Sequence, residues 1–228
     1  MIKSFIFLFF FALFFNLFFF LLLFDWVIME IIKISDEKLT DEDMYKIQKV
    51  LSSGGVIIYP TDTVYGLGVD IFNEIAIKNL FKLKGRNFNK AISVLFSDIE
   101  NISHYAYLDE KKIEILNNYL PGPFTFILEK KVSVSKLLAG NTNKLGIRIP
   151  NNKTAIEIAK IMPITTTSAN ISSKEVKSNP LEIANELNGK IDLIIDGGIL
   201  TSNNSSTVVD LTHKPVKILR QGIGNFEL

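Results

Sequence analysis

Apolar and polar positions follow two rhythms along most of the chain, after an opening stretch that has neither. Phe5 to Phe24 is a run of twenty residues in which Asn16 is the single polar side chain. From Leu39 to Leu51 apolar residues recur every three or four positions, which predicts an amphipathic helix capped by Asp36 or Thr40. Gly54-Gly55 breaks that pattern, and Val56-Ile57-Ile58-Tyr59 predicts a buried strand ended by Pro60. The helical rhythm returns over Glu74–Leu83, Glu110–Tyr119, Thr154–Ile161 and Leu181–Leu187. Strands are predicted over Ile92–Phe96, Phe124–Leu128, Leu145–Ile149 and Ile164–Thr167. Leu193–Ile195, Thr207–Leu211 and Val216–Leu219 complete the set. Interleaved strands and helices with no repeat or linker predict one α/β domain over residues 29–228, with helices on a mixed sheet.

Composition changes the picture at the N-terminus. Residues 1–28 hold 11 of the 18 Phe and two charges, Lys3 and Asp25. Without them the apolar share falls from 47% to roughly 41%, within or below the range of ordinary soluble domains. A run of that length can cross a bilayer as a helix, which makes a membrane anchor one reading of residues 1–28. A signal peptide fits less well, because no small-x-small cleavage site precedes Asp25. Alternatively the start is misplaced, since Met29-Glu-Ile-Ile-Lys-Ile-Ser reads as the natural opening of a soluble domain. The chemistry belongs to residues 29–228 on each reading.

With no cysteine, disulfides, thiolate metal sites and Cys nucleophiles are excluded. Two histidines, His104 and His213, leave no His-rich metal cluster, and no protein-held metal is expected. A formal charge of +1 argues against nucleic-acid binding by bulk charge, so any phosphate chemistry needs a local cationic patch. Walker A, His-Glu-x-x-His and Gly-x-Ser-x-Gly patterns are absent.

Four segments concentrate chemistry. Pro60-Thr61-Asp62-Thr63-Val64-Tyr65-Gly66-Leu67-Gly68 follows a buried strand with hydroxyls, a carboxylate and two permissive glycines, which fits either a plain turn or a ligand site. Lys82, Lys84, Arg86 and Lys90 crowd the end of a predicted helix, as dipole complements or as a patch converging on a triphosphate. In Leu145–Pro150 the apolar side chains share one face, so Arg148 points to the other, beside open space at Gly146. Thr165 to Ser173 packs hydroxyls and an amide after Pro163-Ile164, too polar for an ordinary core turn.

Taken in order, these segments resemble the Sua5/YciO/YrdC family. The resemblance rests on Gly55-Val-Ile-Ile-Tyr-Pro-Thr-Asp-Thr-Val-Tyr-Gly-Leu-Gly68, Lys84-Gly85-Arg86, Pro121-Gly-Pro-Phe-Thr125 and Gly146-Ile-Arg-Ile-Pro150. Thr167-Ser-Ala-Asn170, Ser206-Thr-Val-Val-Asp210 and Leu219-Arg-Gln-Gly222 extend it, so it covers about residues 31–226. It implies a twisted α/β sheet around a positively charged cavity. It also implies a nucleotidyltransferase that joins L-threonine, bicarbonate and ATP, with Mg2+, into threonylcarbamoyl-AMP and pyrophosphate. That product feeds N6-threonylcarbamoyladenosine at position 37 of tRNA through a separate transferase complex, in the cytoplasm.

Position by position, the resemblance assigns Thr63, Arg148, Thr166 and Ser206 to threonine. It assigns Arg86, Lys90, Lys144, Ser168, Asn170 and Arg220 to the nucleotide, and makes Lys84, Arg86 and Lys90 the catalytic cations. Two departures stand out. Ala91 replaces a proline that usually follows the position of Lys90, which implies a looser loop. Ser173 stands where the family pattern has glycine. Rival readings are a carbamoyl-adenylate-forming domain and a non-catalytic RNA-binding module of the same fold. Membrane contact follows only if residues 1–28 are retained.

Overall fold

The computed structural model describes residues 29–187 and 191–227, so the reading of residues 1–28 lies outside the described residues. The chain opens with strand β1 (Glu30–Lys33), helix α1 (Asp41–Ser52), β2 (Ile57–Tyr59), β3 (Gly66–Gly68) and α2 (Glu74–Leu83). Then come β4 (Ser93–Leu95), α3 (Ile99–Ile102), α4 (Glu110–Tyr119), β5 (Phe124–Glu129), β6 (Lys144–Arg148) and α5 (Lys153–Ile161). The last elements are β7 (Ile164–Ser168), α6 (Pro180–Glu186), β8 (Leu193–Asp196), β9 (Thr207–Asp210) and β10 (Lys217–Arg220). Among the described residues the strands form one twisted sheet, in the order β1-β8-β2-β3-β7-β4-β6-β5-β9-β10. It is mixed, as expected: β1/β8, β2/β8, β4/β6 and β5/β9 run parallel, and the other pairs antiparallel.

Local chemistry sets the helix ends. Of the two expected caps for α1 the structure uses Thr40, in a reciprocal box with Asp43. The Asp43 amide donates to Thr40 Oγ1 at 3.2 Å, and the Thr40 amide donates to Asp43 Oδ2 at 3.0 Å. Asn73, Asp109 and Asn152 cap α2, α4 and α5 without the reciprocal bond, each accepting from a first-turn amide.

Two apolar layers flank the sheet. Helices α1 and α5 bury Ile47, Leu51, Ala155 and Ile158 against Ile57, Tyr59, Leu193 and Ile195 on one face. Helices α2, α4 and α6 bury Leu80, Phe81, Leu116 and Ile183 against Leu67, Val94, Phe126, Ile147 and Val209 on the other. A fully buried side chain such as Phe126 contributes about 1.5–3 kcal/mol, so this second layer fixes the strands that carry the site.

Three elements differ from the expectation, the single-turn helix α3 among them. Glu30–Lys33 pairs in parallel with β8, in register Ile31↔Ile194, and forms an edge strand too short and charged to stand out by pattern. Gly66-Leu67-Gly68 is not a turn but a strand between β2 and β7, and neither glycine has a positive φ. They are glycines because neighbouring side chains occupy the space: an added Cβ would sit 2.7 Å from Tyr59 Cζ at Gly66, and 2.7 Å from Ile164 Cδ1 at Gly68.

Candidate active site

Strand pleating builds the floor of a cavity of about 640 Å³. On β6 the odd-numbered Leu145 and Ile147 enter the core, and Lys144, Gly146 and Arg148 line the cavity. β5 sends Phe124, Phe126 and Leu128 inward and leaves Thr125 and Ile127 on the cavity side. β9 repeats the pattern, with Val209 in the core and Ser206, Val208 and Asp210 facing the cavity. Thr166 and Ser168 come from β7, Arg220 from β10 and Arg86 from the loop after α2. Arg86, Lys144, Arg148 and Arg220 face a single lining carboxylate, Asp210, so the cavity favours anions.

Arg148 is 6% exposed and held by the segment before β3. Its Nη2 donates to Asp62 Oδ1 at 2.5 Å and to Thr63 Oγ1 at 2.6 Å. Asp62 is fixed in turn by the Asn151 amide, 3.0 Å from Oδ2. The Arg148 Nε–H is buried with no partner, so a donor remains for a carboxylate. Gly146 does not leave open space beside it: an added Cβ would collide with the Ser93 hydroxyl, with Ser93 Cβ 3.1 Å away. The glycine lets β4 and β6 close into a continuous floor.

Beside Arg148, Ser206 Oγ lies 2.8 Å from Thr125 Oγ1. Arg220 donates to the Ser206 carbonyl from Nε at 3.1 Å and from Nη2 at 2.8 Å. Burial, and then the charge of Arg148, hold the Arg220 pKa below its ordinary value.

Further along the floor, Lys144 Nζ donates to Asp210 Oδ2 at 2.8 Å and lies 3.2 Å from His213 Nε2. Burial pushes the Asp210 pKa up. The bonds from Lys144 and Thr212 outweigh it and hold the carboxyl below its usual range.

Lys84-Gly85-Arg86 is the C-terminus of α2. The Arg86 amide donates to Phe81 O at 2.9 Å and the Gly85 amide to Lys82 O at 3.0 Å, with Gly85 at φ +57°. This Schellman closure throws the two cations apart. Arg86 turns into the cavity, where Nη2 donates to Ala91 O at 2.7 Å and Nε is buried without a partner. Burial lowers its pKa. The missing proline at Ala91 is offset by other restraints: Asn141 Nδ2 donates to Asn89 Oδ1 at 2.8 Å, and the Ile92 amide to Leu138 O at 2.9 Å.

Lys84 turns the other way. It is 1% exposed, does not line the cavity, and donates from Nζ to Ser168 O, to Asn170 O at 2.8 Å and to Asn170 Oδ1 at 3.3 Å. A place among phosphate-facing cations is therefore not where the structure puts it. Lys90 is exposed on its loop and outside the cavity wall. Thr63 and Asn170 are buried just behind the wall. Arg86, Lys144, Arg148, Thr166, Ser168, Ser206 and Arg220 are brought together around one space.

Asp62, Thr125, Asp210 and His213 had no role assigned from the sequence, although Asp62 is the carboxylate of the first candidate segment. Thr125 carried a signal, since it is the polar residue between Phe124 and Phe126 in a strand. Asp62 carried none by itself, because its partner is 86 positions away.

An α/β domain with a cationic, hydroxyl-lined cavity on one sheet face is suited to binding small anionic ligands. A family model for Sua5/YciO/YrdC proteins, described as "Telomere recombination", matches residues 49–222, and the chain belongs to that family. It is 35% identical over 198 residues to a putative threonylcarbamoyl-AMP synthase of Methanocaldococcus jannaschii, covering 85% of this chain and 93% of that protein. Its fold superposes on Pyrococcus abyssi Sua5 complexed with L-threonine with a TM-score of 0.79 and 29% identity, over 86% of this chain. The chain spans 57% of that Pyrococcus protein. Escherichia coli YciO superposes with a TM-score of 0.80 and 28% identity, over 87% of this chain and 98% of YciO.

Proposed function

We propose that this chain is a threonylcarbamoyl-AMP synthase, and that residues 29–228 carry the activity as one domain. The observation that carries the reading is the pairing, in one cavity, of a strand-borne Arg148 with an unpartnered Nε and a loop-borne Arg86 with another. Each of the two needs an acceptor, and the threonine carboxylate and the ATP phosphates are acceptors that also match the charge of the arginines. Similarity to the threonine-complexed Pyrococcus protein and to the Methanocaldococcus synthase supports the same assignment.

Arg148 binds the threonine carboxylate through its free Nε–H, with Thr63 and Asp62 holding Nη2 from behind. Thr166 and Ser206 face the rest of the amino acid. The threonine amine and bicarbonate condense to a carbamate with loss of water. A carbamate oxygen then attacks the α-phosphorus of ATP, the bond to the β-phosphate oxygen breaks, and pyrophosphate leaves. No protein nucleophile takes part. Arg86 and Lys144, which line the cavity, neutralise charge on the phosphates, and Ser168 and Arg220 hold the nucleotide side, with Asn170 supporting Ser168 from behind the wall.

Magnesium enters with ATP as part of the substrate. Among the described residues no group of three or more His, Asp or Glu could hold a metal, and the lining carboxylate Asp210 is already bound by Lys144 and Thr212. The product supplies threonylcarbamoylation of tRNA by a separate transferase, and a cytoplasmic position for residues 29–228, beside ATP and tRNA, fits that role. Among the described residues no helix is long and apolar enough to cross a membrane.

The test follows pyrophosphate release from ATP, magnesium and bicarbonate with and without L-threonine, with mass spectrometry of the adenylate. Threonine-dependent release with the mass of threonylcarbamoyl-AMP is the expected result. Release that requires carbamoyl phosphate would replace this reading by a carbamoyl-adenylate former. Salt-sensitive tRNA binding without turnover would replace it by an RNA-binding module.

A further inference from the structure

We infer that Lys84 is a positioning residue that acts from behind the cavity wall, clamping the Ser168–Ser172 turn so that the turn presents a fixed surface to the nucleotide. The inference rests on the synthase reading for what the turn binds, but not for the clamp itself.

An ammonium has three N–H donors, and the structure surrounds Lys84 Nζ with three acceptors, Ser168 O, Asn170 O and Asn170 Oδ1. No N–H is left over for a phosphate. The main chain of the same residue adds a fourth tie, because the Ser172 amide donates to Lys84 O at 2.8 Å. The turn is thus held at both ends by one residue, itself locked as the C-cap of α2.

The clamp also orients the turn. Drawing the Ser168 and Asn170 carbonyls towards Nζ turns the next amides, Ala169 and Ile171, away from it, because each peptide unit is planar. The Ala169 amide donates to Tyr65 O at 2.8 Å, which ties the turn to the strand bearing Gly66. Asn170 is kept facing inward as well: its Oδ1 accepts from Ser168 Oγ at 2.7 Å, and its Nδ2 donates to Lys174 O at 2.7 Å. Ser168 lines the cavity, and Lys84 reaches the cavity only through it. Burial, and then the charge of Arg86, push the Lys84 pKa down to about 7, and the three acceptors around Nζ oppose that desolvation.

The experiment compares wild type, Lys84→Met and Arg86→Ala. Hydrogen–deuterium exchange without any ligand should show faster exchange at the Ala169, Asn170 and Ser172 amides in Lys84→Met, and no such change in Arg86→Ala. Calorimetric titration should show ATP binding weakened about tenfold or more in Lys84→Met, with inorganic pyrophosphate binding close to wild type. The KM for ATP should rise while that for L-threonine stays within about twofold, a split that general loosening would not produce.

Unchanged exchange in the turn would overturn the clamp whether or not the protein makes an adenylate. Loss of pyrophosphate binding as deep as in Arg86→Ala would return Lys84 to the phosphates. If Lys84→Met does not fold, wild-type protein is labelled with pyridoxal 5′-phosphate and borohydride. Lys84 should stay unmodified while Lys144 reacts, and ATP-protected labelling of Lys84 would overturn the inference.

Discussion

The two unsatisfied arginines of the cavity are built on opposite plans. Arg148 rises from the middle of the sheet, is almost fully buried and shares an ion pair and a hydroxyl bond with Asp62 and Thr63. Arg86 sits on a loop beyond a helix cap, is half-buried and has one side-chain bond, to a loop carbonyl. The first station is set before any ligand arrives, and the second can adjust. That division suits a substrate pair in which a small rigid carboxylate must be placed and a long triphosphate must be followed through bond cleavage.

The largest effect should come from breaking the rigid station. Asp62→Ala leaves a buried guanidinium without its counter-charge, which costs about 3–5 kcal/mol of stability. Urea denaturation should show that loss, together with a raised KM for threonine. A variant with unchanged stability would mean that Asp62 and Arg148 do not depend on each other.

Arg86→Ala should do the reverse. Turnover should fall about 10²–10³-fold, as when one stabilising donor is removed from a transition state. The thermal midpoint should stay near wild type, because the residue supports no core contact. Pyrophosphate release and thermal unfolding on one preparation test both halves. A large drop in the midpoint would show that the loop is structural, and the contrast between the two stations would fail.

Within one tripeptide, Lys84 and Arg86 repeat the contrast on a smaller scale. The Lys84 pKa is about 7 in the folded protein against 10.5 for the free side chain. Between those values the unfolded chain holds the extra proton, so stability from this group is lowest below pH 7 and rises as pH climbs through the window. The slope is at most about 1.4 kcal/mol per pH unit. Wild type should therefore gain stability between pH 7 and 9, and Lys84→Met should gain less. Parallel urea midpoints for the two proteins across that range would remove Lys84 as the cause.

What the sequence revealed follows the reach of each cause. Alternation along a strand is local, so Arg148 could be placed on a polar face from its neighbours alone, whereas Thr166 and Ser206 were marked by the family resemblance. The direction of Lys84 was hidden, because a left-handed Gly85 separates it from Arg86 and reverses the chain between them. The Gly66 and Gly68 pair was misread for a related reason: flexibility is the ordinary meaning of glycine, whereas here Tyr59 and Ile164 fill the space. Asp62 needed the fold itself, since only the sheet brings it to Arg148.

The smallest effect concerns Ser173, exposed on the turn that Lys84 clamps. Its φ is +70°, in the left-handed region, and the Lys174 amide closes the turn onto Ile171 O at 3.0 Å. At that position of a turn glycine is preferred, because a Cβ crowds the backbone. Ser173→Gly removes about 1 kcal/mol of strain, and the freer unfolded glycine returns part of it, so a net gain of a few tenths of a kcal/mol is expected. Equilibrium denaturation of the two proteins measures it, and the KM for ATP should not move, since the clamp is untouched. A loss of stability would mean that the Ser173 side chain makes a contact that outweighs its backbone strain. A lower KM would mean that the strain reaches the nucleotide surface, and that the adjustable side of the cavity begins at this turn rather than at Arg86.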